Sequence, residues 1–227
     1  YTSAILGGFV MVCFVYAFVK VKGDKKRIKQ IVSNDRSIDV ALFGRMVADD
    51  TNLNVDACAQ VAHAISVQTV EPESDFFTAV DDNQRNGGVD ANRLQDRLGD
   101  VNATAKAVSA FAQAFLTSVP QGKINTFGQN VLPDLIVVNL RDTQAVNLVG
   151  AFERPVVPDY VQHATEALVR RQQDLDKAYG ITPVKTWVVR IGDDTAAADA
   201  LVDGKTTSLR DLVADVERTV ADRLTQE

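Results

Sequence analysis

Three stretches decide the fold of this chain: LIVVNL at residues 135–140, DYVQHATEALVRRQQDLDKAY at 159–179, and WVVRI at 187–191. The first and last are short, apolar and rich in β-branched residues, so they read as strands; the middle one is long enough for a helix of several turns. Outward from this unit, Ala103–Leu116 spaces Val108, Phe111, Ala112 and Phe115 as a helix does, and a final helix is expected from a Ser208 cap to Leu224. Upstream, Ile38–Ala48 reads as a short helix or turn. Asn52 or Asn54 is expected to cap a helix running through Asp56, Ala57, Cys58, Val61 and Ala62. Ile65, Val67, Thr69 and Val70 alternate as a strand before Pro72, Phe76–Val80 is a short apolar stretch, and the polar residues 83–102, with a Gly pair, read as an exposed loop or excursion from the core. Helices interleaved with strands predict an α+β domain around a mixed or antiparallel sheet. No repeat is present, and no GxGxxG follows a strand, which argues against a dinucleotide fold.

A chain of 227 residues can bury a full core without disulfides, and 46% hydrophobic with 24% charged residues is ordinary for a globular protein. With two cysteines, Cys13 and Cys58, and no CxxC, neither a disulfide scaffold nor a four-cysteine metal site can be built. The 24 basic residues against 30 acidic give a formal charge of -6, which taken alone disfavours nucleic acid as a partner.

Residues 1–36 differ from the rest. From Ala4 to Val19 the run AILGGFVMVCFVYAFV has no charge, and Lys20, Lys22, Lys25, Lys26, Arg27 and Lys29 follow it. The run is shorter than the roughly 20 residues a spanning helix needs, and a signal peptide carries its positive region before the apolar stretch, not after it. Strand formers such as Phe9, Val10, Val12 and Phe14 favour a buried strand, with a short membrane anchor or interfacial helix as the second reading. The basic patch is either a solvated segment or a phosphate-facing surface. A chain that opens on Tyr1 is expected to be a processed or incomplete product. The organisation expected is thus an atypical segment at 1–36 and one α+β domain at 37–227 with an insertion around 83–102.

Few residues suggest catalysis. His63 and His163 are the only histidines and have no metal-ligand spacing; His63 reads as a hydrogen-bonded structural imidazole or a partner contact. Asp49 with Asp50 and Asp81 with Asp82 are adjacent pairs, and neighbours on a strand point to opposite faces, so turns and caps explain them better than paired general acid and base. There is no GxSxG and no phosphate-binding GxxxxGK[ST]. More informative is PQGKINTFGQNVLP at 120–133, between a helix and a strand. It combines a cation, amides, a ring and glycines that let backbone N–H groups approach a ligand. An ordinary surface loop uses Gly and Asn as well; Lys123 and Phe127 among small polar residues tilt the reading toward nucleic acid.

The stretch SIDVALFGRMVADDTNLNVDACAQVAHAISVQTVEPESDFFTAVDD, Ser37–Asp82, resembles the central region of the backbone subunit of type I-E CRISPR Cascade surveillance complexes. SVPQGKINTFGQNVLPDLIVVNLRDTQAVNLVGAFERPV, Ser118–Val156, resembles the same family's GKxN loop and the strands after it, and WVVRIGD continues the match. The family's Asn/Arg-rich beginning, its Pro-Lys-Thr and Ser-Ser-Gln segments, its basic helix and its Tyr-rich strand have no counterpart here; FVYAFVKV stands at the front of the chain, at 14–21.

The resemblance implies an RNA-recognition-motif or ferredoxin-like palm with inserted helical and thumb-like elements. It implies a non-catalytic, cofactor-free and metal-free subunit that polymerises along CRISPR RNA in the cytoplasm. The partners implied are that RNA, target DNA through the guide, further copies of the chain and the other Cascade subunits, with no membrane. Phe43, Gly44, Arg45 and Met46 match the family's guide-proximal ALFGRM segment, and Lys123, Asn125, Thr126 and Phe127 match its GKxN-type loop. Arg45 and Lys123 would neutralise phosphates, Asn125 would hydrogen-bond sugar or phosphate, and Met46 or Phe127 would pack on sugars or bases. His63, Thr78 and Asp81 match motif positions without an assigned role. Two other classes stay open: a soluble domain tethered to a membrane by residues 4–19, and a metal-free enzyme using Asp81 or Asp82.

Overall fold

The computed structural model describes residues 37–48, 50–62, 64–69, 88–118 and 131–226. The chain divides into two compact units, Tyr1–Ala57 and Cys58–Glu227.

In the first unit, α1 spans Ile38–Phe43 and ends at Gly44, whose N–H donates to Val40 O at 3.0 Å. A 3-10 turn, Thr51–Leu53, follows, with Asp50 Oδ1 accepting from Asn52 N. The helix expected from Asn54 onward does not form. Asn54 Oδ1 instead accepts from Val47 N at 2.6 Å, which closes a loop and spends the side chain that would have capped the helix.

The second unit begins with β1, Ala59–Gln60, antiparallel to β2, Gly88–Val89. The helix expected across this region is therefore a strand at Ala59–Gln60. Of the strand expected at 65–70, the described part makes a single parallel bridge, Gln68 with Val156. Residues 76–80 and Val70 lie outside the described residues. The polar stretch 83–102 is largely not a loop: 88–102 supplies β2, then α2, Ala91–Leu98, then the start of α3, Val101–Thr117. Asp90 caps α2 through Arg93 N at 3.0 Å, and Asp100 caps α3 through Ala103 N at 2.6 Å. Between the two helices Gly99 adopts φ 70, the left-handed conformation that ends a helix. Leu94, in the middle of α2, is completely buried.

The rest is the predicted α+β core. β3, Leu135–Leu140, begins and ends where expected and pairs antiparallel with β4, Lys185–Arg190, from Leu135 opposite Arg190 to Leu140 opposite Lys185. Between them come a 3-10 turn, Val149–Phe152, and α4, Tyr160–Tyr179. After β4 come a third, longer 3-10 segment, Asp193–Leu201, which the sequence pattern did not announce, and α5, Leu209–Gln226. Ser208 Oγ accepts from Asp211 N at 3.1 Å, so the predicted cap of α5 is present.

Strand periodicity sorts the core into two faces. Ile136, Val138, Trp187 and Val189 pack with Ala105 of α3 and with Leu212, Val216, Val220 and Leu224 of α5, four residues apart along one stripe. Leu135, Val137 and Val188 face the other way, onto Val169 of α4 and Ala198 and Leu201 of the 3-10 segment. On that face Asn139 and Gln172 exchange two amide hydrogen bonds at 3.1 Å each, and Thr186 Oγ1 donates to Asn139 Oδ1 at 2.8 Å. The buried amide of Gln172 and the half-buried amide of Asn139 thereby satisfy each other between α4 and β3.

Candidate nucleic-acid interface

The segment Phe43–Met46 is a tight turn built from the end of α1. Gly44 sits at φ 75 and ψ -176, open to glycine and strained for other residues. A Cβ placed there would come within 2.5 Å of Val55 O and 2.8 Å of Ala57 N, so the chain passes itself at backbone distance. Arg45 then forms a two-bond antiparallel bridge with Val55, its N donating to Val55 O at 2.7 Å and Val55 N returning to Arg45 O at 2.8 Å. The Arg45 side chain crosses the loop so enclosed: Nε and Nη2 donate to Leu53 O at 3.1 and 3.0 Å. On either side, Phe43 is 58% and Met46 86% exposed. The turn therefore holds one apolar side chain before and one after a tied arginine, an arrangement suited to packing against rings or sugars.

Of the residues singled out by sequence, Phe43, Gly44, Arg45 and Met46 are brought together in this turn. Lys123, Asn125, Thr126 and Phe127 lie outside the described residues, as do Asp49, His63, Thr78, Asp81 and Asp82. His163 is half-buried on α4, with Nδ1 3.5 Å from Val157 O.

The second unit contains a charged cluster with no local sequence signature. Its members come from β4 and α5, about 30 residues apart, so no short motif could announce them. Trp187 Nε1 donates to Asp215 Oδ2 at 2.7 Å, Lys185 and Arg218 both pair with the same carboxylate, and Lys185 Nζ lies 5.2 Å from the Trp187 ring centroid. With Thr207, Asp211 and Ala214 these residues line a cleft of about 340 Å³. Burial works to raise the Asp215 carboxyl, but the hydrogen bonds from Lys185 and Trp187 and the charges of Lys185 and Arg218 outweigh it and hold the group below the usual Asp range. Asp215 thus pairs with both cations of the cluster, one carboxylate between two positive charges.

Elsewhere, the hydrogen bond from Arg190 lowers the Asp199 carboxyl. Burial raises the Cys58 thiol against the pull of Arg97 and Arg93, which keeps it protonated and a poor nucleophile. Among the described residues no group of His, Cys, Asp and Glu is placed to hold a metal, and no helix is long and apolar enough to cross a membrane. Residues 4–19 lie outside the described residues.

A family model described as CT1975-like protein matches residues 14–88 and 85–215. Among solved structures, a chain of a CRISPR RNA-guided surveillance complex, pre-nicking, is 28% identical with a TM-score of 0.67 over 86% of this chain and 58% of its own length. A chain of a second CRISPR RNA-guided surveillance complex is 27% identical with a TM-score of 0.61 over 82% of this chain and 83% of its own. The present chain thus spans less than two thirds of the first of these relatives. No curated protein matches it.

Proposed function

Because the chain belongs to the CT1975-like protein family, we propose that it is a non-catalytic backbone subunit of a CRISPR RNA-guided surveillance complex of the type I-E Cascade class. The observation that carries this reading is the joint likeness in sequence and fold, across most of the chain, to chains of two CRISPR RNA-guided surveillance complexes. In this reading the three-layer α+β unit belongs to a palm of the RNA-recognition-motif or ferredoxin-like kind. The partners are CRISPR RNA, further copies of the chain, the other subunits of the complex and, through the guide, target DNA; the site of action is the cytoplasm.

The segments proposed to meet the RNA are the turn after α1, formed by Phe43, Gly44, Arg45 and Met46, and the GKxN-type loop with Lys123, Asn125, Thr126 and Phe127. Lys123 neutralises a phosphate, Asn125 hydrogen-bonds the sugar-phosphate backbone, and Phe127, Phe43 and Met46 supply apolar surface to sugars and splayed bases. None of these contacts reads a base edge, so sequence discrimination belongs to pairing between guide and target. A net charge of -6 gives no general affinity for polyanions, which suits a subunit that binds one dedicated RNA beside its neighbours. Head-to-tail contacts between copies that do not close on themselves produce a helical array.

The test is co-expression of the chain with CRISPR RNA and the other subunits, purification, and nuclease footprinting of the recovered RNA. Regularly spaced protection is the expected result; a stable assembly recovered without RNA refutes the proposal. Lys123→Ala is expected to weaken guide binding equally for all guide sequences and to reduce the salt slope by about 0.7, the value for one single-strand phosphate.

A further inference from the structure

We infer that Arg45 is a positioning residue, holding the turn that presents Phe43 and Met46, and not one of the groups that neutralise the guide's phosphates. The inference rests on the RNA-binding reading above and deepens it at one residue. A cation beside two exposed apolar side chains would ordinarily be assigned to a phosphate. Here its two adjacent N–H groups, Nε and Nη2, converge on the carbonyl of Leu53 at 3.1 and 3.0 Å, eight residues along the chain. The backbone of the same residue makes the two bonds to Val55. Arg45 therefore ties the loop at two neighbouring points, through its side chain at Leu53 and through its main chain at Val55.

The surroundings agree with this role. Gly44 passes Val55 and Ala57 more closely than a Cβ would allow, so the two arms of the loop lie at backbone distance beside Arg45. Asn54, from the same segment, accepts from Val47 N at 2.6 Å, which adds a third tie just beyond Arg45. Met46 is almost fully exposed while Arg45 is half-buried, the alternation expected of neighbouring residues in extended chain. To engage a phosphate with its Nε and Nη2 donors, Arg45 would have to give up both bonds to Leu53. Hydrogen bonds from a charged donor are each worth roughly a ten- to hundredfold factor in a local equilibrium. A guanidinium suits this task better than an ammonium because its planar fork delivers two N–H groups from one side.

The test uses the full chain with two variants, Arg45→Met and Arg45→Lys. In the RNA-free protein, both are expected to lower hydrogen-exchange protection of the Val55 amide by roughly ten- to a hundredfold. The fluorescence of Trp187, the chain's only tryptophan, stays as in the wild type and certifies the second unit as folded. In the assembled complex, both variants are expected to bind the guide about tenfold more weakly, with the slope of log affinity against log salt unchanged. A purely structural role would lower thermal stability and leave the affinity of the folded protein untouched, and that result overturns the inference. So does a slope reduced by about 0.7 in Arg45→Met together with full rescue by Arg45→Lys, the signature of a phosphate contact. Unaltered Val55 protection in both variants overturns it as well. A wild-type chain that assembles without guide RNA refutes instead the function on which the inference rests, and the exchange arm still decides whether Arg45 holds the turn.

Discussion

Replacing Asp215 by Ala removes the carboxylate on which Lys185, Trp187 and Arg218 converge. Trp187 is 5% exposed, so its Nε1–H is left buried without its acceptor, which costs about 1–3 kcal/mol. The two ion pairs add less, because Lys185 is 39% and Arg218 71% exposed; water screens them, and together they contribute about 1 kcal/mol at most. Asp215→Ala should therefore lower stability by about 2–3 kcal/mol, whereas Asp215→Asn keeps an oxygen for the indole and should lose about 1 kcal/mol or less. Urea unfolding followed by tryptophan fluorescence is the natural assay, since the signal arises from Trp187, the indole bonded to Asp215.

Proton linkage gives a second arm to the same experiment. The folded pKa of Asp215 lies below its unfolded value, so the folded state binds the proton less readily than the unfolded chain. Its contribution is complete above the ordinary Asp value of about 3.9 and is lost as the pH falls through the lower folded value. Asp215→Asn should remove that part of the acid dependence. Equal losses for the Ala and Asn variants, or an unchanged acid limb in Asp215→Asn, would refute the reasoning that the indole bond dominates and that the carboxyl is held down by its partners.

Gly44→Ala should destabilise the turn by at least about 2 kcal/mol, from the positive φ and the backbone contact at Val55; proteolysis of the loop between residues 45 and 55 as slow as in the wild type would contradict this. Leu212→Ala, at a fully buried position of α5, should cost about 2–5 kcal/mol in urea unfolding, and a loss under about 1 kcal/mol would mean that the α5 stripe is not central to the core. Ser208→Ala should cost about 1 kcal/mol by removing the acceptor for Asp211 N, seen as a lower thermal midpoint; Ser208→Asp should keep most of it.

Particular elements explain which readings of the sequence held. β3 was legible to the residue because six consecutive apolar or amide side chains, bounded by Pro133 and Asp134 before and Arg141 after, carry their own signal. α4 began one residue later than read, and α5 began just after its Ser208 cap, since caps and periodicity are local properties. α2 was hidden because its sequence, ANRLQDRL, is mostly polar and its one fully buried side chain, Leu94, gives no periodicity by itself. The helix expected after Asn54 failed for a different reason: the cap chose Val47, a partner seven residues back, over the N–H groups ahead of it.

The candidate site divides in the same way. Phe43, Gly44, Arg45 and Met46 could be picked out from the family-like motif, whereas the positive φ that makes the turn depend on Gly44 was set by the fold. The bonding of Arg45 to Leu53 could not be read, because a positive charge in a sequence specifies no acceptor. The Lys185, Trp187, Asp215 and Arg218 cluster was invisible for a related reason, its members meeting only once β4 lies against α5.

By itself, then, the sequence determined the α+β class, the β3, α4, β4 and α5 elements, the absence of a disulfide framework and the family likeness, all of which follow from composition, short-range period and contiguous motifs. Tertiary structure alone decided which polar groups are committed: Asn139 to Gln172, Asp215 to Trp187, and Arg45 to Leu53. A side chain's hydrogen-bonding capacity is written in its chemistry, but its partner is chosen by whichever backbone or side chain the folded chain brings within about 3 Å.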